Sequence, residues 1–481
     1  MVYQVSDRPR FSETVVFAIQ QLLAIMAATL VVPIIIGNEM SPAAALFGAG
    51  MGTLVYLLFT KFKSPVFLGS SFAFLSSMAA AFAGGVSIGL GYIGLIMGAI
   101  FAGLVYVVIA VIVKFAGTGW INKLMPAVVI GPTVAIIGLS LAGNAVGDLQ
   151  KGDVMKDVLE YVVNTEGAVP VIEEKIIQVS TANPLIAILC GLVTLITVIL
   201  CATFGKKMTK LIPFIIGILA GYAVASVFTV IGLAVNNPEL QIINFAYFSD
   251  LFKDGVQVSS FIAVPSFTFI KAFGAFGEIT PAYVAAIAVA YVPVAFVVFA
   301  EHIADHKNIS SIIEKDLLTD PGLSRTLLGD GIGSMTGAFF GGCPNTTYGE
   351  SVACVAITRN ASVITILFAA IGAILISFLS PFVAFVDSIP SCVMGGVCIA
   401  LYGFIAVSGL KMIREIDLGE NKNLFVVSTI LICGIGGLAI TIGAVTITAI
   451  AVALILGIVV NLLLKNAKPE VVEDEIEDED K

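Results

Sequence analysis

The sequence predicts an all-α polytopic membrane protein. Only 12% of its 481 residues are charged and 58% are hydrophobic, whereas soluble domains carry about 25% charged residues. A water-soluble core could not cover so much apolar surface. A membrane-spanning helix needs roughly 20 apolar residues, and about fourteen segments of that length follow one another along the chain.

The predicted spans are 13–36, 42–60, 65–83, 90–113, 124–146, 183–204, 209–235, 280–304, 323–341, 343–360, 362–381, 391–412, 423–441 and 445–464. Two long polar stretches, about 147–182 and 236–279, interrupt them. In both we expect short amphipathic or strand-like pieces lying over one membrane face.

The basic residues predict the orientation. If the N-terminus is cytoplasmic, the lysines and arginines of the short links fall inside. The exceptions are the lysines of the two long loops, Lys151, Lys156, Lys175, Lys253 and Lys271. This positive-inside bias fits an even number of spans. We therefore expect a multi-pass protein of the cytoplasmic membrane, with residues 1–12 and an acidic tail, 466–481, both in the cytoplasm.

The stretch 236–279, predicted to be an extracellular linker, divides the spans into two sets of seven, 13–235 and 280–465. An odd number of spans per half means that the second half enters the membrane upside down relative to the first. Such inverted repeats are typical of secondary transporters, whose substrate site lies near the midplane between the halves.

The third span of each half is predicted to be broken. Pro65-Val-Phe-Leu-Gly-Ser-Ser-Phe-Ala-Phe74 and Cys343-Pro-Asn-Thr-Thr-Tyr-Gly-Glu350 combine proline, glycine and small polar residues at matching positions. At membrane depth such segments must face protein or a water-filled cavity. Each can run extended and then begin a half-helix, whose free N–H groups would point to a shared centre. For Gly69-Ser70-Ser71 alone, close helix packing is the alternative.

Three carboxylates accompany these segments: Glu301 and Asp305 at the end of the eighth span, and Glu350. Glu301 and Asp305 are four residues apart and share a helix face. Two acids in a low dielectric cannot both ionise at low cost, so this pair is predicted to couple transport to protons. A sodium site stays open. A loop position is the alternative for Asp305 and the favoured position for His306.

Other functions find little support in the sequence. His302 is expected to contact a neighbouring helix, and Asp330 to structure the core. There is no nucleotide-binding loop, nucleophile–base pair or metal cluster, so we expect no enzyme, no cofactor, no bound metal and no nucleic-acid partner. A rival of similar fold is an anion transporter, and a passive channel is a rival of a different class.

In its motifs the chain resembles the nucleobase–ascorbate transporter family (nucleobase:cation symporter 2). The most specific matches are Pro344-Asn-Thr-Thr-Tyr-Gly-Glu350 with Ala356-Ile-Thr-Arg359, Leu68-Gly-Ser-Ser-Phe-Ala-Phe74, Ala300-Glu-His-Ile303, and Lys315-Asp-Leu-Leu-Thr-Asp-Pro-Gly322. The resemblance implies fourteen spans in two inverted sevens. Spans 1–4 and 8–11 would form a core domain, and spans 5–7 and 12–14 a gate domain. It also implies short antiparallel strands in spans 3 and 10 and, commonly, a homodimer.

The resemblance also implies the site and the activity, which is proton-coupled uracil uptake. The residues carried over by position are the acids Glu301 and Glu350, the backbone contacts Phe72 and Gly349, the aromatic ring of Tyr348 and the small wall residue Ala28. The chain departs from the pattern at Asp305, where the uracil-transporting members usually have histidine. A xanthine or mixed purine/pyrimidine symporter is therefore the alternative.

Overall fold

The computed structural model describes residues 1–117, 120, 126–164, 171–206, 208–442 and 445–466. Apart from its first residue, the predicted acidic tail lies outside these residues. Helices before residue 236 are α1 (Phe11–Ile36), α2 (Pro42–Phe59), α3 (Leu75–Ala81), α4 (Ile88–Ala116), α5 (Ala127–Ser140), α6 (Ala142–Asp148), α7 (Pro184–Phe204), α8 (Met208–Leu211) and α9 (Pro213–Ala234). Two short helices follow in the long loop, α10 (Ala246–Asp250) and α11 (Thr268–Ala272).

The remaining helices are α12 (Pro281–Ile313), α13 (Leu323–Gly341), α14 (Gly349–Thr358), α15 (Val363–Ile376), α16 (Ser380–Asp387), α17 (Ser391–Arg414), α18 (Asn421–Ile435) and α19 (Ala449–Leu463). The strands are β1 (Leu68–Ser70), β2 (Met155–Asn164), β3 (Val171–Ser180), β4 (Asn345–Thr347), β5 (Ile440–Ile442) and β6 (Val445–Ile447). They form three antiparallel pairs, β1–β4, β2–β3 and β5–β6.

This is a mainly helical, multi-span membrane protein, as predicted. Among the described residues, eight helical stretches are long and apolar enough to cross a membrane, with α5 and α6 forming one of them. Five shorter apolar helical stretches accompany them, and one of these, Phe72–Ala81, joins a 3-10 turn to α3. The hairpin β2–β3 is the strand-like piece expected in the first long polar stretch.

The predicted boundaries of three spans are wrong. The eighth span was expected to end at residue 304, but α12 continues to Ile313, so its 33 residues extend about 50 Å at roughly 1.5 Å per residue. Asp305 and His306 therefore lie inside a helix and not in a loop. The spans 423–441 and 445–464 each lose one end to the hairpin β5–β6. Its β-branched residues, Ile440-Thr-Ile442 and Val445-Thr-Ile447, favour extended backbone.

The centre of the molecule is the antiparallel pair β1–β4, with Leu68 opposite Thr347, Gly69 opposite Thr346 and Ser70 opposite Asn345. These are the short strands that the resemblance implied. A helical segment follows each strand directly, 72–81 after β1 and α14 after β4. Buried backbone in a membrane needs hydrogen-bond partners within the protein, and these ladder bonds supply part of that need.

Helix α2 supplies further partners to the strands. The Thr53 hydroxyl accepts a hydrogen bond from the backbone N–H of Leu68 at 2.9 Å. The side-chain amide of Asn345 donates to the carbonyl oxygen of Gly48 at 3.1 Å. Both strands are thus fastened to the same helix, which fixes their position relative to it.

Glycines allow α2 and α13 to lie in backbone contact. A Cβ atom added at Gly48 would lie 2.4 Å from the carbonyl oxygen of Gly337, and one at Gly52 would lie 2.7 Å from that of Gly333. Small residues permit such close approach of helices in membranes. The strand pair is therefore held against a tightly packed pair of helices.

The loops are divided between two faces. On the face of the N-terminus, here called the terminal face, the N–H of Val2 donates to the Arg359 carbonyl oxygen at 2.8 Å. On the same face, Lys63 pairs with Asp320 at 2.6 Å. On the opposite face the long loop joins other elements: the N–H of Asp153 donates to the Ile242 carbonyl oxygen at 2.8 Å, and the N–H of Ala263 to that of Phe378 at 2.9 Å.

Candidate functional site

A cavity of about 620 Å³ extends from the strand pair to the terminal face. Six residues predicted for the site line it: Phe72, Glu301, Asp305, Tyr348, Gly349 and Glu350. The opposing wall is aliphatic and comes from α5 and α17. Its members are Ile130, Val134, Ile137, Leu401 and Ile405.

The Tyr348 ring forms part of the cavity wall and is held firmly. Its hydroxyl donates to the Ser70 carbonyl oxygen at 2.7 Å, and its backbone N–H donates to the Phe67 carbonyl oxygen at 3.3 Å. The ring lies against Gly69, where an added Cβ would be 2.4 Å from two ring atoms. The glycine at position 69 therefore makes room for the Tyr348 ring. Close packing of two helices, the alternative explanation for a small residue here, does not require such a ring.

The first turn of α14 is tied to distant parts of the chain through the Ser351 hydroxyl. This oxygen accepts hydrogen bonds from the side-chain amide of Gln21 and from the backbone N–H of Phe67. Ser351 is fully buried, and Gln21 is nearly so. The contact sets the position of α1 relative to both broken segments.

The three carboxylates share the cavity but differ in their partners. Asp305 accepts a hydrogen bond from the Thr347 hydroxyl at 2.7 Å. Within the described part of the chain, no other side chain hydrogen-bonds to Glu301 or Glu350, and both are partly exposed. Their oxygens are therefore available to N–H donors of a ligand. Three like charges in one low-dielectric cavity repel each other, which favours binding of protons or cations.

Two uncapped helix starts face the same cavity. Helix α14 begins at Gly349, and the segment 72–81 begins at Phe72. At neither start does the N-cap side chain accept a hydrogen bond, so the first turn lacks the usual capping acceptor for its N–H groups. The partial positive charge of a helix start favours carbonyl oxygens and anions. The cavity thus offers both acceptors and donors to a bound molecule.

His302 and Asp330 form a fully buried pair behind this site. His302 Nδ1 lies 2.7 Å from Asp330 Oδ2, and Nε2 lies 3.0 Å from the Thr326 hydroxyl. The Thr326 hydroxyl donates its own hydrogen to the Leu323 carbonyl oxygen, so it accepts from Nε2. One further proton then lies between Nδ1 and the carboxyl group, and the pair has no net charge in either arrangement.

His306 continues the network towards the terminal face. Its Nδ1 donates to the His302 carbonyl oxygen at 2.8 Å, and its Nε2 lies 2.7 Å from the Tyr56 hydroxyl. Tyr56 in turn contacts the Ser64 hydroxyl at 2.6 Å. Because each histidine directly follows a cavity acid in the chain, these contacts fix the rotation of α12 that presents Glu301 and Asp305 to the cavity.

The residues that line the cavity differ in part from those predicted for the site. Ala28 is buried and is not part of the cavity lining, where Ala24, one helical turn earlier, takes the place of a small wall residue. Thr346 lines the cavity, and its hydroxyl has no hydrogen-bond partner among the described residues. The polar Thr346 lay within the Cys343–Glu350 motif, so the sequence contained a signal for it.

A second cavity, of about 690 Å³, lies on the opposite face and includes Asp153 and Asp387 among its lining residues. Its lining, within the described part of the chain, contains none of the residues predicted for the site. Of these two cavities among the described residues, the one that contains the predicted site residues is the one that opens on the terminal face.

Burial raises the pKa of Asp387 to about 6. Burial, together with the charge of Asp387, also raises the pKa of Asp153 to about 6.

A family model described as a permease family, Xan_ur_permease, matches residues 12–173 and 167–443. The chain belongs to this family, the nucleobase–ascorbate transporters. Similar members include the uracil permease of Bacillus subtilis (strain 168), 37% identical over 470 residues, or 97% of this chain and 96% of the relative. The uracil permease of Escherichia coli (strain K12) is 35% identical over 481 residues, or 99% and 97%.

Solved structures of transporters share the fold of this family member. The transmembrane domain of a cyanobacterium bicarbonate transporter, BicA, matches with a TM-score of 0.58 and 11% identity, over 95% of this chain and 99% of that one. The murine anion transporter Slc26a9, in its inward-facing state, matches with a TM-score of 0.60 and 11% identity, over 96% and 69%. At this identity the likeness concerns the fold alone.

Proposed function

We propose that this permease imports uracil across the cytoplasmic membrane together with protons, by alternating access. The observation that carries the proposal is that Glu301 and Glu350 line one cavity with two uncapped helix starts. Uracil has two N–H donors and two carbonyl acceptors around a flat ring. The carboxylates match the donors, and the backbone N–H groups of the helix starts match the acceptors. The relatives named uracil permease support the same substrate.

The architecture that belongs to this proposal has fourteen spans in two inverted repeats, 13–235 and 280–465, with both termini in the cytoplasm. Spans 1–4 and 8–11 form the core domain, and spans 5–7 and 12–14 the gate domain, in a homodimer. The cavities on the two faces, of which one reaches the site, support alternating access. In this arrangement the structure is open to the cytoplasm.

Protons are the proposed coupling ions, with Glu301 and Asp305 carrying them. The two acids lie one helical turn apart in α12 and line the same cavity. Asp305 is held by Thr347, in the strand that also forms the site. A substrate that brings N–H donors to Glu301 changes the charge balance of the pair. Binding of the base and binding of the proton are thereby linked.

The test is binding and counterflow of radiolabelled uracil with Glu301→Gln and Glu350→Gln. A hydrogen bond to a charged group contributes about 1.5–3 kcal/mol, so each variant should bind uracil at least about tenfold more weakly. Glu415→Gln is the matched control, since Glu415 is exposed at the end of α17 and outside the cavity. Wild-type binding and counterflow in both cavity variants would remove these residues from the site.

A xanthine or mixed purine/pyrimidine symporter is the second candidate. The observation in its favour is Asp305, an acid that lines the cavity beside Glu301. Competition of labelled uracil uptake by unlabelled xanthine separates the two. We expect strong competition by uracil and little by xanthine.

The coupling ion is tested separately by imposing ion gradients. Accumulation of uracil that follows a sodium gradient, and not a pH gradient, would contradict proton coupling.

A further inference from the structure

Two lysines lie in the wall of the cavity that contains the three carboxylates. Lys210 belongs to the short helix α8, and Lys411 lies in the last turn of α17. Both line the cavity where it meets the terminal face, and both are exposed. Neither forms an ion pair or a side-chain hydrogen bond with any described residue. Lys63, on the same face, is by contrast paired with Asp320.

The cavity therefore has two chemically different ends. Acids and uncapped helix starts surround the inner end, while two ammonium groups and the exposed Ser408 lie towards the mouth. Its volume of about 620 Å³ is in the range of sites that hold drug-sized ligands, about 300–1,000 Å³. A single neutral pyrimidine ring uses only part of it and has no charge for the lysines to bind.

We propose that this cavity also binds a pyrimidine nucleoside monophosphate from the terminal face, which inhibits transport. The base lies towards Glu301 and Glu350, and the phosphate lies between Lys210 and Lys411. Phosphate oxygens form strong, charge-assisted hydrogen bonds with ammonium groups. The proposal rests on the proposed function for the position of the base and for the cytoplasmic side of the mouth.

The chemistry of the nucleotide fits an inhibitor and not a substrate. The sugar replaces one of the two ring N–H donors, so the base alone binds less tightly than uracil. The phosphate offsets this loss through the two lysines. Enclosing its charge of about −1.5 to −2 in the low dielectric of a closed site would be costly. The nucleotide therefore occupies the open state without being carried.

Anionic lipid headgroups carry the same phosphate chemistry and also attract lysines at a membrane face. The position of these two lysines in a cavity wall, opposite groups that suit a base, favours the nucleotide. The test therefore includes an anionic lipid and inorganic phosphate as competitors of nucleotide binding.

The experiment uses the full chain, purified in neutral detergent, and measures binding of radiolabelled uridine monophosphate and of radiolabelled uracil. Lys210→Gln with Lys411→Gln should weaken nucleotide binding at least about tenfold and leave uracil binding unchanged. Lys315→Gln, exposed on the terminal face but outside the cavity, is the control. Added salt should weaken nucleotide binding and not uracil binding, because only the former depends on exposed charges.

Three results would overturn the proposal: nucleotide binding no tighter than that of uridine, unchanged nucleotide binding in the double variant, or equal competition by inorganic phosphate or phosphatidylglycerol. Absence of uracil binding in the wild-type protein would instead refute the proposed function. In that case the binding of radiolabelled uridine monophosphate to the wild type and to the double variant would still test the role of the lysines, because it is measured directly.

Discussion

Replacing Gly69 by alanine should displace the Tyr348 ring and impair the site. The new Cβ would be 2.4 Å from two ring atoms, whereas carbon atoms in contact lie about 3.5 Å or more apart. The ring would have to move by about 1 Å. The hydrogen bonds of its hydroxyl to Ser70, at 2.7 Å, and of its backbone N–H to Phe67, at 3.3 Å, oppose that movement.

Overpacking of this kind costs about 1–3 kcal/mol. If the displaced ring is part of the binding site, the same free energy is lost from uracil binding, which weakens the affinity by about 5- to 150-fold. The assay is binding of radiolabelled uracil to purified protein, with the apparent melting temperature measured in parallel. Both should fall in Gly69→Ala.

Gly403→Ala is the matched control. Gly403 lies within α17, and an added Cβ there meets no atom within 4 Å. Alanine favours helix over glycine by up to about 1 kcal/mol, so this variant should be as stable as the wild type or slightly more stable. Wild-type uracil affinity in Gly69→Ala would show that the Tyr348 ring is not held in the way described.

Three further predictions follow from other contacts. Asp305→Asn should retain uracil binding but weaken the dependence of uptake on the pH gradient; unchanged pH dependence would contradict a role in coupling. Gly48→Ala should lower the apparent melting temperature, because its Cβ would lie 2.4 Å from the Gly337 carbonyl oxygen, and an unchanged value would show that the two helices can separate freely. The raised pKa of Asp387 favours the folded state below about pH 4, the usual range of a free aspartate, and this contribution is lost as the pH rises through about 6. Asp387→Asn should therefore melt at a higher temperature than the wild type at pH 8 and not at pH 4, and equal differences at both values would refute the burial of that charge.

Hydropathy and the polar interruptions predicted the helical membrane fold and the position of its broken segments. Span 343–360 could be recognised because proline, glycine and hydroxyl residues are unfavourable in lipid unless the protein satisfies their backbone. The same reasoning, applied to the corresponding span of the other half, indicated an extended segment followed by a half-helix. These features depend on local composition, which the sequence displays directly. That the two segments contain short antiparallel strands was implied by the resemblance to the family.

Other features depend on contacts between distant residues, and the sequence did not reveal them. The wall formed by α5 and α17 is aliphatic, and aliphatic residues facing a cavity resemble those facing lipid. The position of α1 depends on the contact of Gln21 with Ser351, which brings Ala24 and not Ala28 to the cavity. The end of α12 was misplaced because its polar residues 305–308 suggested water, whereas His306 is fully buried.

The ladder between β1 and β4 also constrains how the protein can move. One strand comes from each half of the chain, and each continues into a helix start that faces the cavity. Separating them would leave amide groups without partners in a place that water reaches poorly. In the proposed alternating access the two sides of the candidate pocket therefore move together, and opening to either side occurs by sliding or tilting against the aliphatic surface of α5 and α17.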